Sequence, residues 1–151
     1  ADWPQRVWRM SDDRLVRAVQ RLAGTLARHE RQAAAAHDIS VSQLRVLLAL
    51  AGAPEVGLRI SDLASDQALA ISTMTRNIGL LEKKGLVART PGSGDRRAVF
   101  VDLTDLGRSL SDALKQTTAG RFSRAFQAFH PSDRVERAVA IDRVASALEK
   151  S

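Results

Sequence analysis

One stretch, residues 59 to 104, constrains this chain more than any other. Its opening predicts a short helix from about Ile60 to Gln67, with Ile60, Leu63 and Ala64 at helical spacing. A second helix is predicted from about Ile71 to Lys84, where Met74, Ile78 and Leu81 form an i, i+4, i+7 apolar stripe. The opposite face carries Ser72, Thr73, Thr75 and Arg76, short polar side chains and one long cation that suit a flat polar partner. Ser72 is the expected N-cap. Gly85, after two lysines, is the expected stop.

Leu86 to Thr90 is a short β-prone run, Pro91 to Asp95 a turn cluster, and Val99 to Leu103 a returning strand. Arg96 and Arg97 sit just past the turn. Two short helices followed by a basic hairpin are the layout of a winged-helix DNA reader. In such a reader the second helix enters the major groove and the hairpin arginines reach phosphates or a narrow minor groove. Arginine suits guanine O6 and N7; serine and threonine suit phosphates or either base type.

The segment LASDQALAISTMTRNIGLLEKKGLV resembles the helix-turn-helix of the MarR family of bacterial transcription regulators, and DRRAVFVDLTDLG resembles that family's wing signature. The resemblance runs over nearly the whole chain. It implies a homodimer, with Asp95 bracing the wing and an arginine at position 97 reaching DNA. It also implies a pocket for a small aromatic or phenolic effector between the reader and the dimer helices. Arg28, His29 and Arg45 are the candidate ligand residues there. Three positions depart from the family pattern: Gln67 stands for a leucine, Ala68 for a turn glycine and Asn77 for an apolar residue.

Charge supports the same reading. The chain carries a formal +6, and residues 70 to 104 hold six Lys/Arg against three Asp/Glu, so a local excess coincides with the motif. Cysteine is absent, which excludes disulfides and thiolate metal sites. No run approaches the roughly 20 apolar residues of a membrane helix. No secretory h-region is present, so a cytoplasmic protein without membrane partners is expected. His29, His37 and His130 have no metal-ligand spacing, and neither a catalytic triad nor a carboxylate pair is recognisable. Gly92-Ser93-Gly94 lacks the spacing and lysine of a phosphate-binding loop. No enzyme, no metal and no cofactor are therefore expected.

The flanks read as helices. Pro4 predicts an irregular start and Ser11-Asp12-Asp13 a helix opening, followed by an apolar stripe of Leu15, Val19, Leu22 and Leu26 running on to about His37. Trp3 and Trp8 are expected to anchor the N-terminus. Ser42 is the expected cap of a largely apolar helix from Gln43 to Ala51. Leu58 is expected to add a short strand to the wing sheet. Thr104 is expected to cap a helix carrying Leu106, Leu110, Ala113 and Leu114, with Gly120 a weak point. Phe122, Phe126 and Phe129 continue the spacing before His130-Pro131-Ser132 breaks the helix, and Val135, Val139, Val144 and Leu148 belong to a last one.

The expected architecture is mainly α with a small β-hairpin wing: a winged helix-turn-helix plus a helical dimerisation region. Residues 1–40 and 105–151 supply that region and 41–104 the reader. The expected function is sequence-specific transcription regulation by a ligand-responsive repressor, bound as a homodimer to a pseudo-palindromic operator in double-stranded DNA. The alternatives are a DNA-binding activator or architectural protein without effector, and a helical protein-interaction module. Only the DNA binders would show steep salt dependence on duplex DNA.

Overall fold

The computed structural model describes residues 3–53, 57–91 and 99–149, with side chains described from Asp13 to Leu148 within them. Six helices and three strands follow in the order α1 (Trp3–Ala36), α2 (Val41–Leu50), β1 (Leu58–Arg59), α3 (Ile60–Asp66), α4 (Ile71–Lys83), β2 (Val87–Pro91), β3 (Val99–Leu103), α5 (Asp105–Phe126) and α6 (Asp133–Glu149). The chain divides into two compact units, Ala1–Ser111 and Asp112–Ser151.

In the first unit the core is built on α4. Met74, Ile78 and Leu81 are wholly removed from solvent, together with Val46 and Leu47 of α2 and Val101 of β3. Each such side chain contributes roughly 1.5–3 kcal/mol of burial. The sheet is antiparallel in the order β1-β3-β2, with Leu58 opposite Val101 and Val87 opposite Leu103. Leu58 therefore joins the wing sheet as expected. Val87, Val101 and Leu103 turn inward, whereas Ala88, Arg89 and Thr90 face solvent. Pro91 ends β2, an edge strand where its missing N–H leaves no ladder bond unmade.

Helix ends account for several differences from the sequence reading. Helix α1 starts at Trp3 and passes through Ser11, because a proline in a first turn has no helical N–H to lose. Ser42 does not cap α2. Ser40 does, accepting from Gln43 N at 3.1 Å while Gln43 Oε1 accepts from Ser40 N at 2.9 Å, a complete capping box. Ser72 does not cap α4 either: the N-cap is Ala70, and Ser72 lies inside the first turn. Thr104 holds its predicted place, its Oγ1 accepting from Gly107 N at 3.1 Å.

Helices α1, α3 and α4 all end in the same motif. The residue three past the helix donates back to the third-last carbonyl: Ile39 N to Ala34 O at 3.1 Å, Leu69 N to Ala64 O at 2.9 Å, Leu86 N to Leu81 O at 3.0 Å. The motif needs a left-handed residue, supplied by Asp38 (φ 51°), Ala68 (φ 51°) and Gly85 (φ 70°). Only the third is the glycine that such a conformation favours. Leu86 is thus part of the α4 stop, which is why β2 begins at Val87.

Gly107 makes the junction between wing and α5. A Cβ there would fall onto the Leu86 carbonyl, so the glycine of the wing signature is a close-approach residue. One turn on, Ser111 is fully buried, its Oγ 2.8 Å from the Gly107 carbonyl and 3.4 Å from that of Leu47.

In the second unit α5 passes Gly120 unbroken and ends at Phe126. Phe129 therefore lies in the turn rather than on the helix. The rings still form a row, Phe122 to Phe126 at 5.6 Å and Phe126 to Phe129 at 6.5 Å, with the Arg137 guanidinium 5.0 Å from the Phe129 ring centre. At 100° per residue the apolar positions of α6 fall on two faces, Val135 and Val139 on one and Ile141, Val144 and Leu148 on the other.

Candidate nucleic-acid interface

The fold splits α4 lengthwise. Ser72, Thr73, Thr75 and Arg76 are all exposed on the face opposite Met74, Ile78 and Leu81. The structure thus brings the four predicted contact residues onto one solvent-facing surface. Thr75 Oγ1 donates to the Ile71 carbonyl at 2.8 Å, which turns its hydroxyl into the helix and leaves its methyl outward. Among the described residues Arg76 has no ion-pair partner. Lys83 lies in the last turn of α4, where a cation also complements the helix dipole.

Asp95, Arg96 and Arg97 lie outside the described residues, as do Gly92-Ser93-Gly94. The strands on either side of them are paired up to Pro91 opposite Val99.

Arg89, which no sequence pattern marks, adjoins the exposed face of α4. From β2 its guanidinium donates to the Thr75 carbonyl at 3.2 Å, and its Nε stands 3.6 Å from Glu82 Oε2. It ties the wing strand to the middle of the exposed helix. The signal was weak, because a lone arginine in a β-prone run reads as an ordinary solvent-facing residue. Arg59 is similar: on β1, it lies over the Phe100 ring at 5.4 Å.

The effector candidates are placed differently. Arg45 is bidentate to Glu30, at 2.7 Å and 3.3 Å, across α2 and α1. The Glu30 hydrogen bond holds the Arg45 proton more tightly than usual, against the opposing effect of burial. Arg28 donates to Thr25 at 3.3 Å on its own helix, and His29 is half-buried on α1. None of the three lines the open groove of about 440 Å³ bounded by Ala35, Asp38, Ile39, Ser40, Gln43, Leu80 and Lys84. Lys84 pairs with Asp38 at 2.8 Å at the edge of that groove, and this hydrogen bond lowers the Asp38 carboxyl below the usual carboxylate range. Among the described residues no group of His, Asp or Glu is arranged to hold a metal ion. None of their helices is long and apolar enough to cross a membrane.

A helix-turn-helix packed on a three-stranded wing sheet, with one polar helix face outward, defines a winged helix-turn-helix protein. A family model described as "MarR family" matches residues 37–98. The transcriptional regulator TtmR of Methylorubrum extorquens is 35% identical over 112 residues, covering 72% of this chain and 56% of its own length. AbsC, a MarR family transcriptional regulator from Streptomyces coelicolor, superposes with a TM-score of 0.75 at 21% identity, over 93% of this chain and 96% of its own. MepR of S. aureus, solved as a complex with DNA, gives 0.70 at 19% identity over 87% and 95%. Residues 37–98 match the MarR family, and the chain has the fold of winged helix-turn-helix transcriptional regulators of that family.

Proposed function

We propose that the protein is a ligand-responsive repressor that binds a pseudo-palindromic operator as a homodimer. The observation that carries this reading is the division of α4 into a wholly buried stripe and an exposed row of Ser72, Thr73, Thr75 and Arg76. A helix anchored on one face can present the other to a major groove without rearranging. Arg76 supplies a bidentate donor, Ser72 and Thr73 offer hydroxyls to phosphate or base edges, and Thr75 offers its methyl to a base edge. Arg96 and Arg97 extend the contact to the minor groove, braced by Asp95. The DNA complex of S. aureus MepR supports a DNA-binding role for this fold.

A second copy is invoked because much apolar surface is left open. Leu15 and Leu22 of α1 are 57% and 44% exposed, and Val135 and Leu148 of α6 are 73% and 65% exposed. Association of residues 1–40 and 105–151 with those of a twofold mate would cover such surface. Two readers then meet half-sites about one helical turn apart. A small aromatic or phenolic effector between reader and dimer helices would favour a reader spacing that does not fit DNA, with Arg28, His29 and Arg45 as candidate contacts.

Selection of duplexes from a random pool tests this reading. An enriched inverted repeat with half-sites about one turn apart is the expected outcome. Failure to enrich any sequence would overturn it.

A further inference from the structure

We infer that Ser42, Gln67 and Asn77 form a positioning set that fixes the angle at which α4 is presented. The inference rests on the DNA-reading role proposed above. The three residues come from three different elements: Ser42 from α2, Gln67 from the C-cap of α3, and Asn77 from α4. Asn77 Nδ2 donates to Ser42 Oγ at 3.0 Å, and Ser42 Oγ donates onward to Gln67 Oε1 at 2.7 Å. One hydroxyl thus bridges two side chains that are 25 and 35 residues away in the chain.

The knot lies between the packed layers, where all three residues are half-buried. It sits beside wholly buried Val46, Met74 and Ile78 in sequence and makes the joint of α2, α3 and α4 partly polar. Polar contacts differ from apolar ones in a way that matters for a reader. An apolar contact keeps most of its energy when two helices slide by an ångström. A hydrogen bond weakens steeply with distance and angle. The bridge therefore selects one register of α4 against α2, where leucines would allow several.

Stability is not what the knot supplies. Gln67 Nε2 is shut off from solvent and has no hydrogen-bond partner among the described residues. An unmade bond on a buried donor is costly. The next residue, Ala68, is held at φ 51°. An unsatisfied amide and a left-handed alanine thus adjoin at the turn between the two helices of the reader. Apolar side chains at 67 and 77 would remove the first of these costs. Costs concentrated there mark a joint held for geometry at the expense of stability.

The test compares affinity for the duplex enriched by selection with affinity for a scrambled duplex of equal length, alongside urea unfolding. Ser42→Ala removes the bridge, and Ser42→Thr keeps its oxygen. The double variant Gln67→Leu/Asn77→Leu replaces the knot with apolar packing. In Ser42→Ala the ratio of specific to scrambled affinity should fall roughly tenfold, a loss comparable with one mismatched base pair, while scrambled affinity stays within about twofold. Ser42→Thr should retain the wild-type ratio. The double variant should lose the ratio to a similar extent with a urea midpoint at or above wild type, which a merely structural role would not produce. The double variant decides the matter should Ser42→Ala fail to fold. Wild-type ratios in both Ser42→Ala and the double variant, or equal losses on both duplexes, would overturn the inference alone. A wild-type protein that does not discriminate between the duplexes would overturn the DNA-reading role and this inference with it.

Discussion

Replacing Ala68 by glycine should make the protein more stable. Ala68 occupies the left-handed position that closes α3, at φ 51°, with its N–H donating to Ser65 O at 3.1 Å. For an L-residue that conformation costs roughly 1–2 kcal/mol, because Cβ crowds the following carbonyl. Glycine escapes the crowding but gives back roughly 0.5–1 kcal/mol through its greater freedom in the unfolded chain. Ala68 is exposed, so removing its methyl forfeits little burial. The balance is a gain of about 0.5–1 kcal/mol. With a urea m-value of roughly 1–3 kcal/mol/M, the unfolding midpoint should rise by a few tenths of a molar. Circular dichroism at one fixed protein concentration is the appropriate assay, since subunit association would also shift the midpoint. A midpoint unchanged or lowered in Ala68→Gly would refute the reasoning. Gly85→Ala is the mirror experiment at the end of α4 and should cost about 1 kcal/mol.

Further outcomes follow from individual contacts. Gly107→Ala should destabilise by at least about 2 kcal/mol in urea unfolding, because the new methyl meets the Leu86 carbonyl, a backbone atom that cannot swing aside. Lys84→Gln should return the Asp38 carboxyl to its ordinary range in an NMR titration. The carboxyl is lowered in the folded protein, so the pair's contribution is present above the ordinary carboxylate range and fades as pH falls through the lowered value. The contribution is small, because Asp38 is 98% exposed. Arg96→Ala/Arg97→Ala should weaken duplex binding and flatten its salt dependence, and unchanged affinity and slope would remove the wing from the interface.

Elements defined by local periodicity were legible in the sequence. The stripe of Met74, Ile78 and Leu81 marks α4 because burial on one side and solvent on the other leaves a 3.6-residue signature. Val99–Leu103 was legible as an apolar β-prone run after a turn cluster, and Thr104 announced itself as a cap. The cap of α2 was hidden for a local reason. Ser40 and Ser42 both precede the apolar run, and the deciding feature was Gln43, three residues after Ser40, which closes the capping box. Freed from capping, Ser42 bonds Gln67 and Asn77, contacts that no local pattern foretells. The row of Ser72, Thr73, Thr75 and Arg76 was legible as the polar remainder of α4. The role of Arg89 was not, because it depends on β2 lying beside that helix.

If the exposed face of α4 meets DNA through Arg76, the salt dependence of duplex binding must differ between the wild type and Arg76→Ala. A steep negative slope of log affinity against log salt is expected for the wild type, made shallower by about two in the variant, about one for each Arg76 of the dimer. Arg76 is exposed and its loss leaves the core intact, so the variant should unfold at the same urea concentration as the wild type. A flat wild-type slope, or identical slopes and affinities for the two proteins, would contradict the claim.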